Sequence, residues 1–376
     1  MAASKIEVVF LHCDQGMGTL VRIFDSKDRL AHLALCDLGS ESGTKKYSDS
    51  AINAVTRALK QMKDDKLTPR IDLLLISHQD FDHWSLLPTL LSKIQSEVPS
   101  CVVDDIYYGG TKWRKKASDA IGEWEDEFGV TAEAFSRGET NFSKPGKAGT
   151  IKVIEDVTFH LLCANVPVSR SAADLERNGT SAVLGIQFGG VFVVIPGDAT
   201  ADTCGWINDN IFDKWKKAGK GNPVSPCRAL GAPHHGALRT IADNFISTSR
   251  AKLGIATKFA QYVSAENVVA SAGWYSKFKH PYKSVMLLLA VNADPDRAEH
   301  DFVWYDDTKA DWKHVEDDER GIYTTITTLG DPPKRTGWSF LITPTGEIRF
   351  FIDWEQAEII PPFERSERYP ATPHKS

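Results

Sequence analysis

Apolar residues along this chain fall into short runs broken by glycine, proline and acidic residues, a pattern that predicts many short strands with a few helices between them. Ile6–Leu11, Thr19–Phe24 and Ala31–Cys36 come first, the last running into Asp37-Leu38-Gly39. Ser50–Lys63 changes period, with Ile52, Val55, Leu59 and Met62 at helical spacing. Ile71–Ile76 reads as an apolar strand of the kind covered on both faces. A helix is expected at Leu86–Ile94 and a strand at Val102–Tyr108. From about Thr111 to Thr150 the pattern fades into charge and glycine, which predicts an insertion carrying a helix near Ala117–Phe128.

Strands return at Ile151–Ile154, Val157–Leu162, Ser181–Phe188 and Val191–Ile195, with Gly189-Gly190 marking a hairpin between the last two. After a polar Lys/Trp segment come a strand at Ala229–Ala232, a helix at about Ile241–Ser249 and a strand at Asn267–Ser271. Beyond about Val291 an aspartate-rich linker leads to strands at Tyr323–Thr327, Gly337–Thr343 and Ile348–Phe351. The expected organisation is a main domain over 1–295 with its insertion at about 111–150, a β-rich extension over 296–360, and a disordered Pro-rich tail over 361–376.

Composition changes this picture little. The 376 residues are 42% hydrophobic and 25% charged, ordinary for a globular chain with ample core. The net charge of −6 gives no global attraction to nucleic acid or to an anionic membrane, so any polyanion site must be a local patch. No apolar run approaches the roughly 18 residues that span a bilayer. The first residues, Met-Ala-Ala-Ser-Lys-Ile-Glu, lack the apolar core of a secretory signal. Six scattered cysteines without a CxxC pair read as reduced thiols, and the expected location is the cytoplasm with no membrane partner.

The chemistry sits where apolar strands stop. The run Leu73–Ile76 ends in Ser77-His78-Gln79-Asp80-Phe81-Asp82-His83. Isolated charges are costly to bury, and a divalent metal is the simplest compensation. In an extended chain, His78 and Asp80 point the same way and can converge on one ion, while Asp82 and His83 can serve a second. The alternative is a polar helix start with Asp82 as its cap. Phe192–Ile195 ends in Pro196-Gly197-Asp198, where Asp198 can bridge two metals or simply cap a turn. Leu230-Gly231-Ala232-Pro233-His234-His235-Gly236 sets adjacent histidines in a Pro/Gly frame where both cannot face a core; taken alone they also fit a surface pair. His280, between Lys279 and Pro281, is either a substrate-side acid or an exposed loop histidine.

As an ordered set, strand-Asp37-Gly, strand-HxDxDH, strand-Gly-Asp, strand-HHG and strand-loop-HP resemble the metallo-beta-lactamase superfamily. The nearest pattern is the soluble hydrolase domain of ComEC-type competence proteins, which has HxDxDH where HxHxDH is commoner and an Asn-Ser strand similar to Asn178–Leu184. The resemblance covers roughly residues 5–290. Departures are Asp14 and Met17 around the Gln15-Gly16 turn, Trp84-Ser85 after the first cluster, and no clear histidine between that cluster and Gly-Asp, where Cys163 and His160 are the nearest candidates.

The resemblance implies an α/β fold, a four-layer αββα sandwich, with one or two Zn or Mn ions held by His78, Asp80, Asp82, His83, Asp198, His234 and His235. It implies a metal-dependent hydrolase in which a metal-bound hydroxide attacks a polarised phosphorus or carbonyl carbon. Asp80, Asp82 and His280 are the expected catalytic residues. Asp37 is expected to hold a ligand histidine in one tautomer. Lys279, Trp274 and Arg239 are the candidate substrate contacts.

The favoured activity is phosphodiesterase or nuclease, on single-stranded nucleic acid or a small nucleotide. Asp80 makes the site harder and more anionic, which brings manganese in beside zinc. Three basic segments with interleaved aromatics suit a phosphate backbone or are solvated surface: Lys112-Trp113-Arg114-Lys115-Lys116, Lys214-Trp215-Lys216-Lys217, and Lys277 to Lys283. Two other classes compete. One is ester, thioester or lactone hydrolysis in a channel built from Trp84, Trp113 and Trp274. The other is a metal-binding interaction module without turnover, with a protein partner on the C-terminal extension.

Overall fold

The computed structural model describes residues 2–41, 45–168, 177–238, 250–273, 279–292, 300–318, 321–326, 337–346 and 348–353. Three antiparallel strands, β1 (Lys5–Phe10), β2 (Gly18–Phe24) and β3 (Leu30–Leu38), start the first sheet. β4 (Arg70–Ile76), β5 (Val102–Tyr108) and β6 (Ala132–Ala134) then join in parallel. Parallel neighbours need crossovers, and helices supply them: α1 (Lys45–Asp64), the short α2 (Phe81–Trp84) with α3 (Leu87–Glu97), and α4 (Lys115–Phe128).

The second sheet is built the same way. β7 (Lys152–Ile154), β8 (Val157–Cys163), β9 (Val183–Phe188) and β10 (Val191–Ile195) are antiparallel, and β11 (Cys227–Gly231) and β12 (Val268–Ala270) add in parallel. Between and after these lie α5 (Ala201–Ile207), a π turn at Asn208–Phe212, α6 (Asp213–Lys217), α7 (Arg250–Val263) and α8 (Lys283–Leu289).

Side-chain alternation assembles the layers. From β1, Ile6, Val8 and Phe10 point into a core shared with Phe159, Leu161, Val193 and Val269 of the opposite sheet. Val9 and Leu11 point the other way, onto Val55 and Leu59 of α1 and Leu90 of α3. From β10, Phe192 and Val194 face Phe259 of α7 and Met286 of α8. The order is helix, sheet, sheet, helix, which is the expected αββα sandwich and matches the metallo-beta-lactamase fold.

The C-terminal fifth departs from the expected linker. β13 (His300–Asp306) and β14 (Asp311–Asp318) form a hairpin, because Phe302, Val303, Trp304 and Tyr305 give the aspartate-rich stretch an apolar side to bury. β15 (Ile322–Thr324) pairs in parallel with β12; β16 (Gly337–Ile342) pairs with β1 and carries β17 (Ile348–Asp353) at the sheet edge. Residues expected as a β-rich extension are thus hydrogen-bonded into both main sheets. The Trp338 indole of β16 donates to the Thr324 carbonyl of β15 at 2.8 Å, tying one sheet to the other. All six cysteines are buried free thiols. Among the described residues, no helix is long and apolar enough to cross a membrane. The expected Ile241–Ser249 helix and the 361–376 tail lie outside the described residues.

Two stability predictions arise here. Phe340 is fully buried between Phe10 (centroids 5.8 Å apart) and Tyr323 (5.6 Å). Phe340→Ala should cost about 3–5 kcal/mol through lost burial and the cavity left behind, read from the urea midpoint. Away from the site, His32 Nδ1 lies 2.8 Å from the Asp72 carboxylate, whose other oxygen accepts the Leu33 amide at 3.1 Å. That hydrogen bond raises the His32 pKa above its ordinary value, against the opposing effect of burial. A raised folded pKa gives stability that is full below the unfolded pKa and lost as pH rises through the folded one. The melting-temperature gap between wild type and His32→Gln should therefore be widest below the ordinary histidine range, about pH 6, and narrow as pH rises above that range.

Candidate metal centre

The site is assembled by a carboxylate that binds no ligand itself. Asp37, 1% exposed at the end of β3, has φ of 57°, a left-handed backbone that turns its side chain toward the end of β4. Its Oδ1 accepts the Ser77 amide at 2.6 Å, and its Oδ2 accepts the Ser77 hydroxyl at 2.7 Å. The same Oδ2 lies 2.8 Å from His83 Nδ1. The His83 ring is thereby fixed with Nδ1 turned away and Nε2 turned into the site. Glycine permits the approach: a Cβ on Gly39 would sit 2.3 Å from the Asp82 carbonyl carbon, so only glycine lets β3 lie against the start of α2. Gly197, at φ of +53°, repeats this from the other sheet, where a Cβ would meet the Ser77 side chain at 2.8 Å.

Around Asp198, strand ends from both sheets converge. Its carboxylate lies 3.2 Å from His83 Nε2, 3.8 Å from His78 Nε2, 3.5 Å from His234 Nε2 and 3.6 Å from His235 Nε2. His235 donates from Nδ1 to the Ser271 carbonyl at 2.7 Å, presenting Nε2 to Asp82 at 3.2 Å. His234 and His235 both hold left-handed backbone, at φ of 51° and 55°, rare for non-glycine residues and a sign of strain held in place by the surroundings. The Asn178 amide nitrogen lies 3.2 Å from His234 Nε2.

Asp80 stands slightly apart. One of its oxygens is 3.9 Å from His78 Nε2, and the other accepts Arg177 Nε at 2.5 Å.

Charge is distributed unevenly through this cluster. Burial and the neighbouring His83 push His78 down to about 3, which leaves it neutral at physiological pH. Burial opposes the charge of His83 too, but Asp198, Asp37 and Asp82 outweigh it and hold its pKa well above the usual value. Against burial, the histidines around Asp198 and Asp82 hold both carboxyls low, Asp82 at about 2. Burial raises Asp80 above the usual carboxylate range, with Arg177 working against that rise. Burial and its neighbours His234 and His235 lower His280 well below its usual range.

This donor set fits a divalent ion. Nε2 of His78 is buried with no hydrogen-bond partner, and the buried Nε2 of His83 and Oδ1 of Asp198 close on each other at 3.2 Å, an arrangement that a bound cation would relieve. The donors fall into two groups, His78 with His83 and Asp198, and Asp82 with His83 and His235, each within 4.8 Å. They share His83, which suits one ion or a close pair.

The rest of the expected set is placed as follows. The His280 ring stacks near His235, with centroids 6.2 Å apart, and lies 5.8 Å from the His234 ring. Lys279 reaches the same cleft, its ammonium 3.1 Å from the Tyr305 hydroxyl. Trp274 and Arg239 lie outside the described residues. Neither candidate for the missing histidine comes to the site: Cys163 packs in the helix-side core, and His160 contacts the Gly149 carbonyl and Gln187. Arg177 and Asn178 occupy that side of the site instead. Asn178 belonged to a recognisable motif, but nothing in the sequence marked Arg177, whose role depends on a partner 97 positions away. Ser77 was likewise missed. Together these side chains floor a cleft of about 710 Å³ whose walls carry Arg114, Lys116, Arg177 and Lys279.

No protein-family model matches the chain. ComE operon protein 3 of Bacillus subtilis (strain 168) is 24% identical over 220 residues, which is 58% of this chain and 22% of that protein. The match spans only about a fifth of that relative's length. Among solved structures, the metallo-beta-lactamase fold protein YhfI from Bacillus subtilis is 14% identical, with 73% of this chain and 88% of that chain covered at a TM-score of 0.36. Unliganded yeast PDE1 is 10% identical, covering 73% and 90% at 0.37. Zn(2+)-bound PqqB from Methylobacterium extorquens is 13% identical, covering 71% and 89% at 0.36. With two sheets packed between helix layers, the chain has the layer architecture of the metallo-beta-lactamase fold, and its sequence likeness to ComE operon protein 3 supports the resemblance to the ComEC-type branch.

Proposed function

We propose that this chain is a metal-dependent phosphodiesterase acting in the cleft over Asp198, with nucleic acid or nucleotide diesters as its substrates. One observation carries this reading: the Asp198 carboxylate, 3.8 Å from the buried His78 Nε2 and 3.2 Å from the buried His83 Nε2, lines a cleft that also carries Arg114, Lys116, Arg177 and Lys279. Cations placed on the wall of that cleft can offset the charge of a phosphodiester, which a neutral ester does not carry. Of the aromatic channel an ester hydrolase would use, Trp84 lines the metal cleft with its indole bonded to the Gln79 carbonyl, Trp113 lines a different cleft, and Trp274 lies outside the described residues.

His78, His83, Asp198, Asp82 and His235 would hold the ion or ions, with His234 beside them. When bound, zinc or manganese would ionise water near neutral pH and offset charge on the phosphoryl oxygens. The chain's own groups do the rest. Asp37 keeps His83 Nε2 directed inward. Arg177 uses Nε on Asp80, and its terminal nitrogens would meet a non-bridging phosphate oxygen, where a guanidinium fork fits well. Asp80 and Asp82 would orient the attacking water and accept its proton. His280, kept neutral by burial and its histidine neighbours, would donate a hydrogen bond to the leaving oxygen.

Metal analysis of the purified chain, paired with hydrolysis of bis(4-nitrophenyl) phosphate, single-stranded DNA and RNA, tests this. Turnover should vanish on chelation and return with zinc or manganese, and His78→Ala and Asp198→Ala should lose both metal and turnover. A metal-replete chain that hydrolyses carboxyl esters but none of the diesters would sink the reading. Asp37→Asn separates positioning from ligation: it should weaken metal affinity by about 10–100-fold in a chelator competition while the fold stays intact by circular dichroism.

A further inference from the structure

Beside the metal cleft lies a second one of about 860 Å³ that the proposed chemistry does not use. Among the described residues that line it, Tyr108 and Trp113 give aromatic surface, Lys112 and Arg137 give positive charge, and none is acidic. The Trp113 indole is fixed by its bond to the Gly109 carbonyl at 3.0 Å and packs edge-on against Tyr108, 5.2 Å between centroids. A ring held in this way can stack on a base without losing further freedom.

The two clefts share a wall. Gly110, in the second, is so close to the first that a Cβ there would sit 2.1 Å from Gln79 Oε1 and 3.0 Å from His78 Cα. Thr180, also in the second, donates its hydroxyl at 2.7 Å to the carbonyl of Arg177, which lines the first. One short segment faces both: Lys112 and Trp113 line the second cleft, while Arg114 and Lys116 line the metal cleft. At the metal cleft, Phe81 is 48% exposed immediately after Asp80, an uncovered ring beside the reacting centre.

We propose that the Lys112–Lys116 segment is a track that carries single-stranded nucleic acid from the second cleft into the metal cleft, with bases on Trp113 and Phe81 and phosphates on Arg137, Lys112, Arg114 and Lys116. This track presupposes the phosphodiester reading of the metal cleft, and it selects strands of several nucleotides over a lone small diester. Alternating ring faces and cations suit a flexible strand whose bases are unpaired; a duplex hides those faces. A patch built on stacking also binds with little sequence preference.

The test is binding, independent of turnover. Fluorescein-labelled oligothymidylate and oligouridylate of about twelve nucleotides are titrated with the full chain, with a duplex of equal length beside them, and read by anisotropy. Wild type should bind both single strands more tightly than the duplex. Arg137→Glu should weaken binding about tenfold and lower the salt slope by about one contact, and Arg137→Lys should restore it. Lys63→Glu, an equal change of charge on an exposed lysine of α1 outside both clefts, should have little effect.

Equal loss in both charge reversals, or duplex binding as tight as single-strand binding, overturns the track. So does wild-type hydrolysis of bis(4-nitrophenyl) phosphate without oligonucleotide binding, although the phosphodiesterase reading then survives. Arg137-dependent strand binding with no hydrolysis of any diester upholds the track and removes the reading it was built on.

Discussion

The Asp37 carboxylate is the constraint on which the site depends. It joins three separate parts of the chain: its own strand end, the Ser77 hinge where β4 stops, and the His83 ring on α2. A buried carboxylate left without partners would cost several kcal/mol. Here three contacts compensate it, and each also fixes the position of something else. The Ser77 contacts set where His78 leaves the strand, and the His83 contact sets which nitrogen faces inward. The geometry at the centre of the cleft is in this sense a by-product of satisfying one charge at its edge.

Close backbone packing completes what that charge begins. Gly39 and Gly197 let the two sheets bring their strand ends within contact of the Asp82–His83 backbone and the Ser77 side chain. The Met17 amide donates to the Asp82 carbonyl at 3.0 Å, and the Ser271 hydroxyl donates to the Gly16 carbonyl at 2.8 Å, so the turn after β1 braces both sides of the cleft. Left-handed backbone at Asp37, His234 and His235 is the strained part of this frame, and it falls on residues of the candidate site. Rigidity of this kind suits chemistry that depends on preorganised ligands.

Much of this was legible in the sequence because strand ends announce themselves. Apolar runs that stop at His78, Asp198 and His234 are local signals, and their order along the chain carries the sandwich with it. What stayed hidden was non-local. Arg177 has no pattern of its own, and its meaning comes from Asp80 across the cleft. Ser77 reads as an unremarkable serine until Asp37 is seen against it. The β13–β14 hairpin was obscured by its aspartates, which sit beside Phe302 and Trp304 and dilute the apolar signal that folds it. The partners of β15 and β16 were invisible for a similar reason: strand spacing shows that a strand exists, not which distant edge it meets.

The pairing of β16 with β1 places one of the last strands of the chain against its first. During synthesis, β1 can pair with β2 as soon as both have left the ribosome, while its other edge waits for residues more than 300 positions behind it. Both sheets receive a strand from the same late stretch, β15 on one and β16 on the other, so each stays incomplete until most of the chain is made. A truncated product would carry an open sheet edge on each layer, the template for pairing between chains. The residues that hold the candidate metal centre are all made well before that point, so the nascent chain carries its chemistry for some time before it carries its full stability.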